Sequence, residues 1–200
     1  MILNEPLLFL LIGAYLMGAI PFGLIVYRIT EGGDIRQKGS GNIGATNIFR
    51  LKGFKIGLLV LLLDMAKGIV PLLVARANLD HPHQVFLVGA AAVFGHMFPV
   101  YLGFRGGKGV ATFLGVTGVF YLPALAVFLG LFLAVVVLSR MVSLASLTAV
   151  TGVFFLLLFT QMVWISLVAF LLAVLICYRH RDNINRLLKG EEKRLGEKKG

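Results

Sequence analysis

The sequence predicts an all-α polytopic membrane protein, and three observations lead to this fold class. Hydrophobic residues make up 58% of the 200 residues, whereas charged residues make up only 14%. The mean hydropathy is +0.93, far above the range of soluble domains. Several apolar runs approach the roughly 20 residues that a helix needs to cross the hydrocarbon core of a bilayer. Any functional site must therefore be built from short loops and helix ends.

Polar breaks divide the apolar sequence into seven predicted transmembrane helices. These spans are residues 5–27, 56–76, 85–103, 110–122, 124–138, 142–159 and 162–178. The fourth and fifth spans are short and meet at Pro123, where the chain could be tilted or re-entrant. The first run lacks a basic n-region and an A-x-A-like cleavage site, which indicates a retained span rather than a signal peptide.

The distribution of positive charge supports an odd number of crossings. With seven spans, nearly all Lys and Arg residues fall on one side; Arg76 lies on the other side and Lys67 lies within a span. The positive-inside rule then predicts an external N-terminus and a cytoplasmic C-terminus. Residues 1–200 form a single predicted membrane domain, with a basic cytoplasmic tail at residues 179–200.

Composition also excludes several classes of function. The net charge of +10 could indicate nucleic-acid binding, but the charge asymmetry of a membrane protein accounts for it, and we predict no nucleic-acid partner. Cys177 is the single cysteine, so the chain has no internal disulfide. The Cys and His residues do not have the spacing of a zinc site. We therefore expect neither a metal nor a cofactor.

The segment KGSGNIGATNIFR, residues 38–50, is polar and rich in glycine. Glycines let backbone N–H groups approach an anion closely, and a helix that starts after Asn42 would add its positive end beside Lys38 and Arg50. Further candidate binding residues in this segment are Ser40, Gly41, Asn42, Gly44, Thr46 and Asn47. The alternative is an interfacial turn followed by an amphipathic helix whose cations face lipid headgroups.

The same glycines match the dinucleotide-binding pattern G-x-G-x-x-G, with Asp64 twenty residues after Gly44. That fold requires an apolar strand before the first glycine. The preceding segment, TEGGDIRQK, is charged and typical of turns. We therefore reject a dinucleotide fold.

A second loop, GFRGGKGVAT at residues 103–112, places Gly106, Gly107 and Gly109 around Lys108. It is not a Walker A loop, because Gly109 follows the lysine where Ser or Thr is required. Successive loops alternate between the two sides of the membrane, and the distribution of positive charge places both glycine-rich loops on the same side. Two basic, glycine-rich helix starts on one face favour an anion site over two unrelated turns.

A third motif, YRHRDNINRLLKGEE at residues 178–192, follows the last span. In a helix, His180 and Asn183 would share one face, with Arg186 a turn further on. A histidine can accept or donate a proton near neutral pH. The neighbouring cations are typical of the basic flank of any final span.

Asp64 and Lys67 are three residues apart within a predicted span. Burial of either charge alone would be costly, so we expect them to form a structural pair. For His96, also within a span, a hydrogen-bonded core position is favoured over a role as a ligand.

Together, SGNIGATN with Arg50, GHMFPVYLGFRGGKGVATFLG and HRDNINRLLKGEE resemble the three cytoplasmic motifs of the bacterial PlsY family. These are acyl-phosphate:glycerol-3-phosphate acyltransferases of the cytoplasmic membrane. The resemblance implies transfer of a fatty acyl group from acyl phosphate to glycerol 3-phosphate, which gives 1-acyl-glycerol 3-phosphate and phosphate. It also implies functional roles for Ser40, Arg50, the second-loop glycines, His180 and Asn183, and a structural role for Glu192.

The chemistry of the residues agrees with this reaction. Acyl phosphate is an activated mixed anhydride, so the enzyme needs mainly to position reactants, neutralise charge and remove a hydroxyl proton. None of the four histidines is followed by Asp five residues later, which excludes an H-x4-D mechanism. In our hypothesis, either His180 or a phosphate oxygen of a substrate accepts the hydroxyl proton. Lys108 and Arg50 stabilise the negative charge of the phosphates and of the developing oxyanion. Asn183 and Ser40 orient the reacting groups. A covalent acyl-Ser40 is disfavoured.

Two other classes of function remain open at this stage. A carrier for an organic phosphate would fit the basic loops, although carriers usually show repeats and polar residues near the bilayer midplane. A lipid-phosphate phosphatase would also need phosphate-binding loops. As partners the sequence predicts the two substrates, membrane lipid and, transiently, an enzyme that produces acyl phosphate.

Overall fold

A computed structural model describes residues 5–196. Within this range the chain is helical apart from loops and turns, which confirms the all-α prediction. The helices are α1 Glu5–Gly18, α2 Phe22–Glu31, α3 Ala45–Asn78, α4 Pro82–Met97, α5 Val110–Phe120, α6 Leu122–Ser139, α7 Val142–Thr160, α8 Val163–Arg179 and α9 Arg181–Leu188. Residues 197–200 of the predicted tail lie outside the described residues.

Five candidate spans are long and apolar enough to cross a membrane in the described part of the chain. They are Glu5–Glu31, Ala45–Asn78, Pro82–Leu102, Leu122–Ser139 and Val142–Thr160. Helices α8 and α9 meet at a bend of 64° and together make a sixth candidate. Helix α5 is apolar but shorter. Multiple spans are therefore present, while the count of seven crossings stays a prediction.

Two helix boundaries differ from the predicted spans, and a proline lies beside each of them, although Glu5–Glu31 as a whole remains a candidate span. The first predicted span is two helices, α1 and α2, because Pro21 has no N–H and disfavours helical geometry at Ile20. The fourth and fifth spans separate at Tyr121, which has an extended backbone, and not at Pro123. Pro123 instead lies in the first turn of α6, where the missing N–H costs no helical hydrogen bond.

The chain divides into two compact units, Met1–Phe120 and Tyr121–Gly200. In the first unit, α1 packs closely on α4 at Gly18 and Gly95. A Cβ atom at Gly18 would lie 2.1 Å from the carbonyl oxygen of Ala92, and one at Gly95 would lie 2.2 Å from that of Tyr15. Small residues at a helix interface permit this close approach of backbones in membranes.

In the second unit, α6 to α8 form the apolar part and α9 follows the bend at His180. Some polar side chains within these helices bond to backbone. For example, Ser166 donates to the carbonyl of Leu157 at 3.1 Å and so joins α8 to α7. Large apolar side chains such as Leu138 and Phe159 are more than four-fifths exposed. Such exposure is appropriate for surfaces that face lipid tails rather than water.

Candidate active site

The first glycine loop, residues 38–44, is organised by Asn47 from the first turn of α3. The Asn47 side chain is buried, and its Oδ1 accepts a hydrogen bond from the Ser40 N–H at 2.9 Å. Its Nδ2 donates to the carbonyls of Lys38 at 3.1 Å and Asn42 at 2.9 Å. Both side-chain amide protons of Asn47 are therefore used in hydrogen bonds within the loop. Asn47 therefore shapes the loop, and contact with a substrate would have to use its oxygen.

Other parts of this loop agree with the predicted helix start. Gly39 and Gly41 have φ of 62° and 71°, a conformation that favours glycine. The Asn42 Oδ1 accepts from the Gly44 N–H at 2.8 Å, and α3 begins directly after Gly44. Ser40 and Arg50 are exposed, while Thr46 is half-buried. The loop thus presents a hydroxyl and a cation near the N-terminus of a helix, where anions are favoured.

Asn47→Asp should lower kcat/KM by about 10-fold or more, because a carboxylate cannot donate to the Lys38 and Asn42 carbonyls. Steady-state kinetics with purified protein would measure the effect. Asn78→Asp is a matched control, since Asn78 is an exposed residue whose Nδ2 donates to the Val74 carbonyl within α3. Equal activity of the two variants would contradict the role given to Asn47.

The second glycine loop follows α4. The N–H of Gly106 donates to the carbonyl of Met97 at 3.2 Å, and that of Gly107 donates to the carbonyl of His96 at 3.1 Å. A Cβ atom at Gly107 would lie 2.1 Å from the Nε2 of His96, which explains the need for glycine there. The loop enters α5 beside the half-buried Lys108. The N–H groups of Gly106 and Gly107 therefore already donate to backbone carbonyls, and Lys108 lies beside the N-terminus of α5, where anions are favoured.

The predicted Asp64–Lys67 pair is confirmed. Both side chains are buried, and the Lys67 Nζ lies 2.9 Å from the Asp64 Oδ1. The same Nζ donates to the carbonyl of Ile20 at the break between α1 and α2, at 2.9 Å. His96 is also buried, with its Nδ1 3.6 Å from the Asp64 Oδ1. Its expected core position is therefore confirmed.

One apolar cluster connects the two glycine loops within the first unit. The cluster contains Leu24, Tyr27, Ile35, Ile43, Ile48 and Val60. Ile43 belongs to the first loop, and Leu102, which lies just before the second loop, packs against the cluster. Both cationic loops therefore occur at one end of this unit.

The third motif surrounds the bend between α8 and α9. His180 is buried, and its Nδ1 lies 2.8 Å from the carbonyl oxygen of Ile176. Because a carbonyl can only accept, Nδ1 carries a proton, and Nε2 is the accepting nitrogen of the neutral ring. This arrangement suits a general base.

Glu192 fixes the other members of this motif. Its Oε1 accepts from the Asn183 Nδ2 at 2.7 Å and from the Ser143 Oγ at 2.8 Å, and its Oε2 accepts from the Arg186 Nε at 2.8 Å. Burial by itself would raise the pKa of Glu192, but these three hydrogen bonds outweigh it and hold that pKa below its ordinary value. Arg186 is thus bound to a carboxylate of the protein itself.

Glu192→Gln should destabilise the second unit by about 1–3 kcal/mol, because a buried hydrogen-bonded charge is lost. Since the folded-state pKa of Glu192 is lowered, its stabilisation is present above the ordinary value of 4.5 and is lost as the pH falls through the folded value. Hydrogen exchange of α9 at pH 7, and at a series of pH values below 4.5, would measure both effects. Glu191→Gln is the control, because Glu191 is the exposed neighbour of Glu192. Unchanged exchange in Glu192→Gln would contradict the assignment.

A family model described as glycerol-3-phosphate acyltransferase matches residues 8–190. The chain is 48% identical over 193 residues to the glycerol-3-phosphate acyltransferase of Anaeromyxobacter dehalogenans (strain 2CP-1 / ATCC BAA-258), covering 93% of this chain and 96% of that protein. The chain belongs to this family. It is accordingly a glycerol-3-phosphate acyltransferase of phospholipid synthesis and an integral, multi-pass membrane protein.

Other relatives agree. The glycerol-3-phosphate acyltransferase of Aquifex aeolicus (strain VF5) is 48% identical over 191 residues, covering 94% of this chain and 98% of that protein. A crystal structure of PlsY (YgiH), an integral membrane glycerol 3-phosphate acyltransferase, in its glycerol 3-phosphate form has a TM-score of 0.91 at 44% identity over 96% of both chains. Its lysophosphatidic acid form has a TM-score of 0.88 at 42% identity over 96% of both chains.

Sequence reasoning missed two polar residues beside the motifs. Ser143 on α7 bonds to Glu192, which lies 49 residues later. Thr112 in the first turn of α5 donates to the Asp64 carbonyl at 2.8 Å. A buried Ser or Thr in an apolar run gives no sequence signal, although Thr112 is the last residue of the glycine-rich segment 103–112.

Proposed function

We propose that this enzyme uses acyl phosphate as its donor and forms 1-acyl-sn-glycerol 3-phosphate and phosphate. A hydroxyl oxygen of glycerol 3-phosphate attacks the carbonyl carbon, the bond to the phosphate oxygen breaks, and phosphate leaves. The observation that carries the proposal is the presence, in a glycerol-3-phosphate acyltransferase, of the three motifs that resemble the acyl-phosphate-dependent family. Both substrates are phosphates, and the first unit carries two cationic glycine loops at one end.

Each predicted site residue has a proposed role. Lys108 and Arg50 stabilise the phosphates and the oxyanion that develops during attack. His180 accepts the hydroxyl proton at Nε2, a role supported by the hydrogen bond from its Nδ1. The alternative acceptor is a phosphate oxygen of a substrate.

Ser40 and Asn183 orient reacting groups in this scheme. Support for Ser40 comes from its exposed place in a loop that Asn47 holds. Asn183 is held by Glu192. The remaining proposed binding residues are Gly41, Asn42, Gly44, Thr46, Asn47, Gly106, Gly107, Gly109 and Arg186. Among these, Arg186 is held in position by its ion pair with Glu192.

We further propose a cytoplasmic location for the loops and for the tail of residues 179–200, in the inner membrane of a bacterium. The positive-inside rule supports this orientation. A single domain with seven crossings and an external N-terminus follows from the same charge pattern. A cytoplasmic basic face would also suit transient docking of an enzyme that delivers acyl phosphate.

The decisive experiment measures phosphate release from palmitoyl phosphate by detergent-purified protein, with and without glycerol 3-phosphate. We expect release only with the acceptor, accompanied by equimolar lysophosphatidic acid. Release without the acceptor would indicate a phosphatase. If palmitoyl phosphate is not consumed while another acyl donor is, the proposed donor is wrong.

A further inference from the structure

The second glycine loop, which presents Lys108, is held at its first end by His96. The loop leaves α4 at Met97, and the Gly107 N–H returns to the His96 carbonyl at 3.1 Å. The imidazole also lies against Gly107, since a Cβ atom there would be 2.1 Å from Nε2. The His96 ring therefore limits where Gly107, the residue directly before Lys108, can lie.

The second end of the loop is held by Thr112. This residue is buried in the first turn of α5, four positions after Lys108. Its hydroxyl donates to the backbone carbonyl of Asp64 at 2.8 Å. The Asp64 carbonyl belongs to α3 and has a second lone pair that can accept this hydrogen bond. The Thr112 hydroxyl therefore links the start of α5 to α3.

Both ends of the loop thus lead to Asp64. The side chain of Asp64 lies 3.6 Å from the His96 Nδ1, and its backbone carbonyl accepts from Thr112. Asp64 is itself fixed by Lys67 at 2.9 Å, and Lys67 is anchored on the Ile20 carbonyl. Of these links to the loop, the Thr112 hydrogen bond fixes the register of α5 on α3, because a hydrogen bond requires a defined distance and angle. The approach of the His96 ring to the Asp64 carboxylate at 3.6 Å is an electrostatic contact.

We propose that α3 at Asp64 sets the place of Lys108. The backbone carbonyl of Asp64 holds the start of α5 through Thr112, and its carboxylate lies against His96, which packs on Gly107 at the other end of the loop. Asp64 is in this sense a positioning residue. The inference rests on the proposed role of Lys108 in binding phosphate. It gives the buried Asp64–Lys67–His96 group a purpose beyond stability of the helices.

Thr112→Val tests the inference with a small, nearly isosteric change. We expect kcat/KM for acyl phosphate to fall by about 3- to 10-fold, the size of one lost hydrogen bond, while the thermal midpoint stays close to that of the wild type. Deuterium exchange in residues 98–109 should become faster, with exchange in residues 38–47 unchanged. Thr112→Ser, which keeps the hydroxyl, should restore the wild-type kinetics.

The matched control is Thr117→Val, because Thr117 is equally buried on α5 but donates to Phe113 within its own helix. If Thr112→Val and Thr117→Val behave alike in kinetics and exchange, the inference is overturned. Lys108→Ala separates the two proposals. Loss of activity in Lys108→Ala combined with wild-type kinetics in Thr112→Val would refute the inference alone. Full activity in Lys108→Ala would refute the proposed role of Lys108 and the inference with it.

Discussion

His180→Ala should lower kcat by about 10²- to 10⁴-fold, the usual contribution of a positioned general base. The Nδ1 of His180 donates to the Ile176 carbonyl, so Nε2 is the nitrogen that can take a proton from the acceptor hydroxyl. Lysophosphatidic acid formation at saturating substrates would measure the effect.

His81→Ala is the control for this prediction, because His81 is an exposed histidine before α4. It should retain wild-type turnover. If His180→Ala also stays within a few-fold of the wild type, the proton goes to a phosphate oxygen of a substrate. A change in KM with an unchanged kcat would assign His180 to binding instead of proton transfer.

Lys67→Met should destabilise the protein by about 3–5 kcal/mol, because removal of one member of a buried ion pair leaves the other charge uncompensated. The Lys67 Nζ lies 2.9 Å from Asp64 and also satisfies the Ile20 carbonyl at the break between α1 and α2. The Asp64 carboxylate and the Ile20 carbonyl therefore both lose the Lys67 ammonium group in this variant. Thermal unfolding in detergent would show a markedly lower midpoint.

The double variant Asp64→Asn/Lys67→Met separates charge from packing. Without the carboxylate charge, much of the stability should return. Lys52→Met is the surface control: Lys52 pairs with the exposed Glu31, and an exposed pair contributes about 0–1 kcal/mol. A loss in Lys67→Met no larger than that in Lys52→Met would contradict the buried-pair argument.

Much of the architecture was predictable because hydropathy and turn chemistry act locally. A transmembrane helix satisfies its backbone internally, so an apolar run of sufficient length predicts a helix without knowledge of its neighbours. The glycine loops, the helix start and the Asp64–Lys67 pair were predictable for the same reason, since each depends on residues close in sequence. The helix start was predicted after Asn42 and lies after Gly44. The break at Ile20 was missed, although Pro21 was a visible signal.

The candidate site was predictable in its motifs but not in its contacts. Asn47 was predicted to bind substrate, whereas its amide protons bond to Lys38 and Asn42. Gly106 and Gly107 were predicted as binding residues, and the structure adds that their N–H groups donate to the Met97 and His96 carbonyls. Composition indicates that a loop can bind an anion, but the folded backbone decides which donors are already used.

The sequence by itself determined the membrane class, the family and the motifs that carry the chemistry, because these depend on residue type and local spacing. Only the tertiary structure decided the partners of the buried polar groups. Asp64 meets Thr112 across 48 residues, and Glu192 meets Ser143 across 49. A buried polar group must find a partner, yet its own sequence neighbourhood does not specify which distant helix will supply one.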